Sequence, residues 1–205
     1  MTIGKGEPWG REVPRPDRLV VVADDRALAA ALTGPDSSDP VAVASGDMLR
    51  TLGNPPLDGR ATLNELPLDV VGVRLDGGAE VIPAVAHVVA RSPWTRGGWC
   101  RGPILLIMNS EFRGRWDVAP RGHPNDGRVE IVRADASLRV RERAQALRRV
   151  RSGTHLPHPR ISTRSARSGS WSFDTPMVVF VDGRRVGRAG TIEVEVMADA
   201  GRLYA

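Results

Sequence analysis

Two successive strand-turn-helix units near the start of the chain constrain its fold more than any other feature. Residues 18–35 place a β-branched run ahead of two aspartates, an Ala- and Leu-rich helix and a Gly-Pro stop. Residues 41–53 repeat the plan with a Ser-Gly-Asp turn and a second helix. Consecutive units of this kind favour a small parallel α/β layer. Residues 54–67 are turn-rich and typical of a linker, whereas residues 1–17 are rich in Gly, Pro and charge and indicate an irregular arm.

The hydrophobic pattern changes after residue 67. Segments at 68–92, 103–109 and 128–135 have the alternation or the apolar runs of strands, and three further strands are predicted between 160 and 198. An Asp182-Gly183 pair in that last stretch is typical of a hairpin turn. The residues from 68 to the end are therefore predicted to be mainly antiparallel β-structure.

One helix interrupts these strands at residues 137–153. Ser137 is a candidate N-cap and Gly153 a candidate stop signal. Four apolar residues share one stripe of this helix: Val140, Ala144, Leu147 and Val150. The predicted fold class is thus α/β plus β, with an incomplete parallel α/β layer and linker at 18–67 and a β-sandwich-like domain at 68–205 that the helix crosses.

The composition allows a folded core and points to an anionic partner. Of the 205 residues, 41% are hydrophobic, and the formal net charge is +5. Lys5 is the only lysine among 29 basic residues, and arginine suits phosphate because its planar fork donates two parallel hydrogen bonds. Cys100 is alone, which excludes an intrachain disulfide framework, and no window approaches the ~20 apolar residues of a membrane span. Cytoplasmic residence follows as an expectation, with peripheral membrane contact left open.

Several segments resemble, in family order, the bacterial diacylglycerol kinase-like lipid kinases, which are distantly related to NAD kinases. The segments are "VAVASGDMLRTLGNPP", "LPLDVVGV", "LLIMNSEFRGRWDVAPRGHPNDGRVEIV", "VRSGTHLPHPRI" and "VVFVDGRRVG". The resemblance covers roughly residues 18–200, with a shortened middle, and is most specific at 103–161. It implies a nucleotide domain followed by a β-sandwich lipid domain, ATP and Mg²⁺ as cofactors, and phosphorylation of a lipid hydroxyl.

The nucleotide motifs of that family are degenerate in this chain. The glycine-rich first motif corresponds to residues 23–27, which keep Asp24 and Asp25 but no glycine. The second motif corresponds to Ala44 followed by three candidate nucleotide-binding residues: Ser45, Gly46 and Asp47. Asp69 matches an acidic position after the linker. The alternative is that Asp24, Asp25, Ser45 and Asp47 serve only as N-caps of their helices.

Two further family sites carry over in part. Asp126 and the backbone carbonyl of Arg128 match the loop that holds Mg²⁺, but His123 stands where a partner acid is expected. Asp182 matches the proposed general base, and Arg184 replaces the neighbouring glutamate. Both aspartates precede glycine, so a simple turn explains each of them equally well.

We expect from these losses a lipid-kinase homologue that is non-catalytic or weakly active, that is, a pseudoenzyme that binds a lipid or small phosphorylated ligand, a nucleotide or a partner protein. The family's region ahead of the first motif needs more than the 18 residues available, so only part of the ATP half is expected. The arginines of 139–151 suit anionic membrane lipids or a solvated face. A basic nucleic-acid-binding protein is the alternative function, although no stacking motif accompanies the charge. A homo-oligomer stays open.

Overall fold

The computed structural model describes residues 8–205. The thirteen strands are β1 (Arg11–Pro14), β2 (Val20–Val22), β3 (Val41–Val43), β4 (Thr62–Leu75), β5 (Ile82–Ala84), β6 (His87–Arg91), β7 (Ile104–Met108), β8 (Phe112–Arg113), β9 (Trp116–Asp117), β10 (Val129–Ala134), β11 (Ile161–Ala166), β12 (Ser168–Val181) and β13 (Arg184–Tyr204). The α-helices are α1 (Asp25–Thr33), α2 (Asp47–Thr51) and α3 (Val140–Arg149), and two 3-10 turns lie at Trp94–Arg96 and Val150–Ser152.

Eleven of the strands form one sheet. Its main path runs β1-β4-β13-β12-β6-β7-β10-β11, with every neighbouring pair antiparallel. The strands β5, β3 and β2 branch from this path, and β8 and β9 form a separate hairpin. The Asp182-Gly183 turn joins β12 to β13 with both residues at positive φ, as the Asp-Gly pair predicts. The prediction of mainly antiparallel structure after residue 67 is confirmed.

Alternate residues of six main strands fill the largest core. It contains Val71, Val88, Ile107, Ile131, Val179 and Ile192 among others. No helix among residues 8–205 contributes to this core. The sheet therefore covers its own apolar face by curling, because an apolar face of this size has to be shielded from water.

The predicted strand-turn-helix pair forms a small layer at one end of the sheet. β2 and β3 are parallel, and Leu28 and Leu32 of α1 pack on Val41 and Val43 of β3. The layer is not separate, since β3 also pairs in parallel with the end of β13 at Leu203. This arrangement brings the N-terminal ends of α1 and α2 against the antiparallel strands.

Two segments expected to be irregular are strands. Residues 11–14 form β1 on the edge beside β4, and β4 begins at Thr62, inside the predicted linker, and runs through the expected boundary at 67/68. β1 has no strand pattern in the sequence, because its side chains are mostly exposed and do not alternate in polarity. Main-chain pairing with β4 defines this strand. The first seven residues of the expected arm lie outside the described part of the chain.

The third helix differs from its prediction at its start and on its apolar stripe. Glu142 caps the helix by accepting a hydrogen bond from the Arg139 amide, whereas Ser137 donates its amide to Asp135. Val140 and Leu147 are each 51% exposed, and only Val150 of the stripe packs on a hydrophobic cluster, so most of the stripe faces water. Gly153, in the left-handed region, ends the final turn as predicted. No helix among residues 8–205 has the length and apolarity of a membrane span.

Candidate functional site

The acidic residues that follow β2 bind backbone amides of their own chain. Asp24 is the N-cap of α1 and accepts a hydrogen bond of 2.9 Å from the Ala27 amide. Asp25 reaches across to α2 instead. Its carboxylate accepts from the Asp47 amide at 2.6 Å and the Met48 amide at 3.2 Å. These amides begin the helix of the second nucleotide motif, so the chain's own carboxylate occupies the donors that a phosphate would need.

The glycine of this motif is required by Asp25. Gly46 has φ +131, and a Cβ at this position would overlap the Asp25 carboxylate. Ser45 donates its hydroxyl to the Ala23 carbonyl at 2.7 Å, which ties the second turn to the first. Both features stabilise the contact between the two strand-turn-helix units. Neither leaves a donor directed at a ligand, and the residues present therefore do not fit a bound ATP phosphate.

Gly46→Ala is expected to lower the free energy of unfolding by about 2–3 kcal/mol, because backbone strain at positive φ costs about 1–3 kcal/mol and the new methyl group displaces Asp25. Chemical denaturation followed by circular dichroism measures the loss. Gly53→Ala is the matched control: Gly53 also has positive φ (+82), but nothing lies within 4 Å of its missing Cβ. Equal losses in the two variants would contradict the packing role assigned to Gly46.

Asp47 and a histidine form the second part of the site. Asp47 Oδ1 accepts a hydrogen bond of 2.5 Å from the Gly114 amide, and its Oδ2 lies 3.4 Å from Nδ1 of His87. His87 is 4% exposed and begins β6. Both ring nitrogens of His87 are buried and neither has a hydrogen-bond partner among the described residues. Asp47 is thus hydrogen-bonded to the β8–β9 hairpin and lies against the start of β6.

Asp182, in the β12–β13 turn, forms the third part of the site. Its carboxylate accepts three hydrogen bonds of 2.9 Å, from the amides of Val85, Ala86 and His87. The residue has φ +44, a backbone conformation that aspartate tolerates better than most side chains. Asp182 therefore connects the hairpin turn to the start of β6 and holds His87 in place.

The shifted pKa values of these groups follow from burial. Desolvation raises the pKa of Asp25 to about 7 despite its amide donors, and Asp182 and Asp47 raise it further by like charge. Burial also raises the pKa of Asp182 to about 6, with Asp47 adding to the effect. Burial and then the nearby Arg113 lower the pKa of His87 to about 3. At neutral pH the histidine is uncharged beside a group of closely spaced carboxylates.

Asp69 holds a loop. It is fully buried and accepts hydrogen bonds from the amides of Gly127 and Asp199 and from the Asn125 side chain. Asp126, in the same loop, accepts from the Arg128 amide at 2.9 Å, which is the geometry of an Asx turn.

The oxygen atoms that this loop offers as metal ligands do not fit a magnesium ion. Mg²⁺ prefers six oxygens in octahedral geometry. Both oxygens of Asp69 and one of Asp126 already accept N–H bonds from the chain itself. No group of three acidic, histidine or cysteine ligands converges anywhere in residues 8–205.

Sequence reasoning missed His87, Arg91 and Arg113. The pattern of β6 indicates His87 and Arg91, because these two polar residues, four positions apart, lie at the ends of an otherwise apolar strand. With a period of two, they lie on one face of the sheet. Arg113 has no such signal, since its loop is polar throughout.

Comparison with known proteins identifies the fold and nothing finer. No protein-family model matches the chain, and no curated protein matches it. A crystal structure of a candidate diacylglycerol kinase from Bacillus anthracis strain Sterne superposes with a TM-score of 0.62 at 13% identity, covering 90% of this chain and 77% of that one. Two further structures of diacylglycerol kinases from this strain have TM-scores of 0.59 at the same identity and cover the same 90% of this chain, and 77% and 75% of theirs. The chain therefore has a diacylglycerol kinase-like fold.

Proposed function

We propose that this chain uses a lipid-kinase fold to bind a lipid or small phosphorylated ligand and does not transfer phosphate from ATP. The observation that carries the proposal is the Asp25 carboxylate on the amides of Asp47 and Met48. Phosphoryl transfer depends on positioned donors that stabilise the charge of the transferred group. Here a carboxylate occupies those donors.

The electrostatics of the site support the same proposal. Asp182 and Asp47 add to the burial that raises the pKa of Asp25, and Asp47 adds to the burial that raises the pKa of Asp182, which supports close spacing of these carboxylates. A nucleotide triphosphate placed on the α2 amides would bring its negative charge directly against these carboxylates. The carboxylates therefore oppose a polyanion at that position.

The candidate base is also engaged. A general base needs a lone pair within hydrogen-bond reach of the hydroxyl that it deprotonates. Oδ1 of Asp182 accepts two amides and Oδ2 accepts one. Three of the about four acceptor positions of this carboxylate are therefore occupied by main-chain amides, which supports a role in holding the start of β6.

The isolated protein is expected to phosphorylate no lipid above the no-protein background. The assay uses radiolabelled ATP, Mg²⁺ and a panel of mixed neutral lipids. Losing one oxyanion donor costs about 100-fold in rate, and here both α2 amides are occupied. The control is Asp182→Asn, which keeps the side-chain shape. Turnover in the parent protein that this substitution abolishes would overturn the proposal and make Asp182 the base.

Binding of ATP itself gives an independent readout. A fluorescent ATP analogue is expected to show no saturable anisotropy change with the parent protein. Asp25→Gly frees the amides of Asp47 and Met48 and removes one carboxylate, so any weak affinity should appear first in this variant. Tighter binding to the parent than to Asp25→Gly would show that Asp25 supports nucleotide binding.

A further inference from the structure

Two arginines beside the site, Arg91 buried and Arg113 partly buried, have no close ion pair. Arg91, at the end of β6, is 5% exposed; its Nε has no hydrogen-bond partner, and one terminal nitrogen donates to the Ser92 carbonyl at 2.9 Å. Arg113, in β8, also has a buried and unpartnered Nε. Among residues 8–205, no carboxylate lies within ion-pair distance of either guanidinium. Buried charges in proteins are normally paired, so these two cations need an explanation.

Aromatic rings bring the two guanidiniums together. Cζ of Arg91 lies 5.7 Å from the Trp99 ring centroid, and Cζ of Arg113 lies 5.0 Å from the same centroid. Arg91 also lies 4.6 Å from the ring of Trp94 and 5.1 Å from that of Phe180. Trp94 is 67% exposed, so an apolar surface continues from the arginines to the solvent.

The charges in this cluster repel one another. Arg185 pairs across β12 and β13 with Phe180, whose ring Arg91 contacts. Burial lowers the pKa of Arg91, and Arg185 lowers it further. Burial also lowers the pKa of Arg113, while Asp47 opposes this effect and Arg91 adds to it. Asp47 already accepts a hydrogen bond from the Gly114 amide. Stacking on aromatic rings stabilises a guanidinium but does not neutralise it or accept its N–H groups.

We infer that Arg91, Arg113 and Arg185 form a binding site for a phosphomonoester group, with Trp94 and Phe180 contacting the apolar part of the molecule that carries it. A dianionic phosphate matches several converging cations, and its oxygens accept the paired N–H groups of an arginine fork. This inference deepens the binding function proposed above and rests on it, since it names the chemical class of the ligand. The phosphate belongs to a soluble metabolite or to a lipid headgroup, and the two sources present the same group to the site.

The test measures binding of defined phosphate probes to the full chain. Calorimetric titration with inorganic phosphate and glycerol 3-phosphate represents the soluble source, and lysophosphatidic acid below its micellar concentration represents the lipid source. The parent protein is expected to bind at least one probe saturably, with a change in tryptophan fluorescence because Trp94 and Trp99 contact the arginines. Arg113→Gln and Arg91→Lys should each weaken that binding about tenfold or more, since the first removes a charge and the second removes the fork.

The controls separate a built site from general basic charge. Arg60→Gln removes one exposed positive charge from the loop between α2 and β4 and is expected to change affinity by less than about twofold. Arg185→Gln changes an exposed residue, so folding should be preserved, and a loss of about threefold or more is expected. If the buried variants fail to fold, this exposed variant decides the question.

Each outcome has a defined meaning. Equal affinity for glycerol 3-phosphate and lysophosphatidic acid supports a site that recognises the phosphate group alone. Tighter binding of lysophosphatidic acid supports a site whose ligand is a lipid. Absence of saturable binding to every probe at about 10 mM, an affinity too weak to be specific, would overturn the inference. So would equal weakening by Arg60→Gln and Arg185→Gln. ATP turnover in the kinase assay would overturn the proposed function alone, because these titrations contain no ATP.

Discussion

Replacing Asp182 with alanine is expected to lower the free energy of unfolding by about 4 kcal/mol, because each buried amide left without an acceptor costs about 1–3 kcal/mol. The three amides belong to Val85, Ala86 and His87, which are at most 4% exposed. Because these amides lie in a buried stretch, water replaces the lost carboxylate only in part. Urea unfolding at about pH 6, followed by circular dichroism, measures the change.

Asp76→Ala is the matched control for this experiment. Asp76 has a similar backbone conformation (φ 51), and its carboxylate accepts hydrogen bonds from the amides of Gly190 and Thr191. This residue is exposed, so water takes over and a loss of at most about 1 kcal/mol is expected. Asp182→Asn keeps one acceptor and should fall between the two. A loss in Asp182→Ala no larger than in Asp76→Ala would contradict the structural role of Asp182.

The second large effect is a pair of opposite pH dependences. Asp25 has its pKa raised from 3.8 to about 7, so the folded state holds the proton more tightly and loses stability as pH rises through this window. His87 has its pKa lowered from 6.5 to about 3, so the folded state resists protonation and loses stability as pH falls below 6.5. The two groups act in opposite directions over the same pH range.

Substitutions should expose each contribution separately. As pH rises from about 4.5 to 7.5, the stability of Asp25→Asn relative to the parent is expected to increase by about 3 kcal/mol, because one shifted proton changes stability by about 1.36 kcal/mol per pH unit. Over the same rise in pH, the stability of His87→Gln relative to the parent is expected to decrease by about 3 kcal/mol, because only the parent regains stability as its histidine loses its proton in the unfolded state.

Denaturant unfolding of the three proteins across this range tests the pair. The difference from the parent at each pH cancels the contributions of all other titrating groups. Differences that do not vary with pH would show that neither side chain changes its pKa on folding. Slopes of the same sign in both variants would contradict the assignment of one of them.

Local signals in the sequence determined the elements of this protein. The two strand-turn-helix units, the Asp182-Gly183 hairpin turn and the end of the third helix at Gly153 depend on patterns within a few residues of one another. The candidate residues Asp24, Asp25, Asp47 and Asp182 could also be selected, because they follow strands at turns. The strand β1 could not, since its pairing partner β4 lies about 50 residues away in the chain and its own side chains are exposed.

Tertiary structure alone decided what the selected residues do. Asp25 resembles the cap of its own helix in sequence, yet it accepts the amides of residues 22 and 23 positions away. Asp182 is read as a base or a turn, and its three acceptor contacts lie 95 to 97 positions away. The role of a carboxylate depends on which donors reach it and how far water is excluded, and both are set by packing between distant segments. The same reason hid Arg91 and Arg113, whose side chains become a pair only when β6 and the β8–β9 hairpin place them against Trp99.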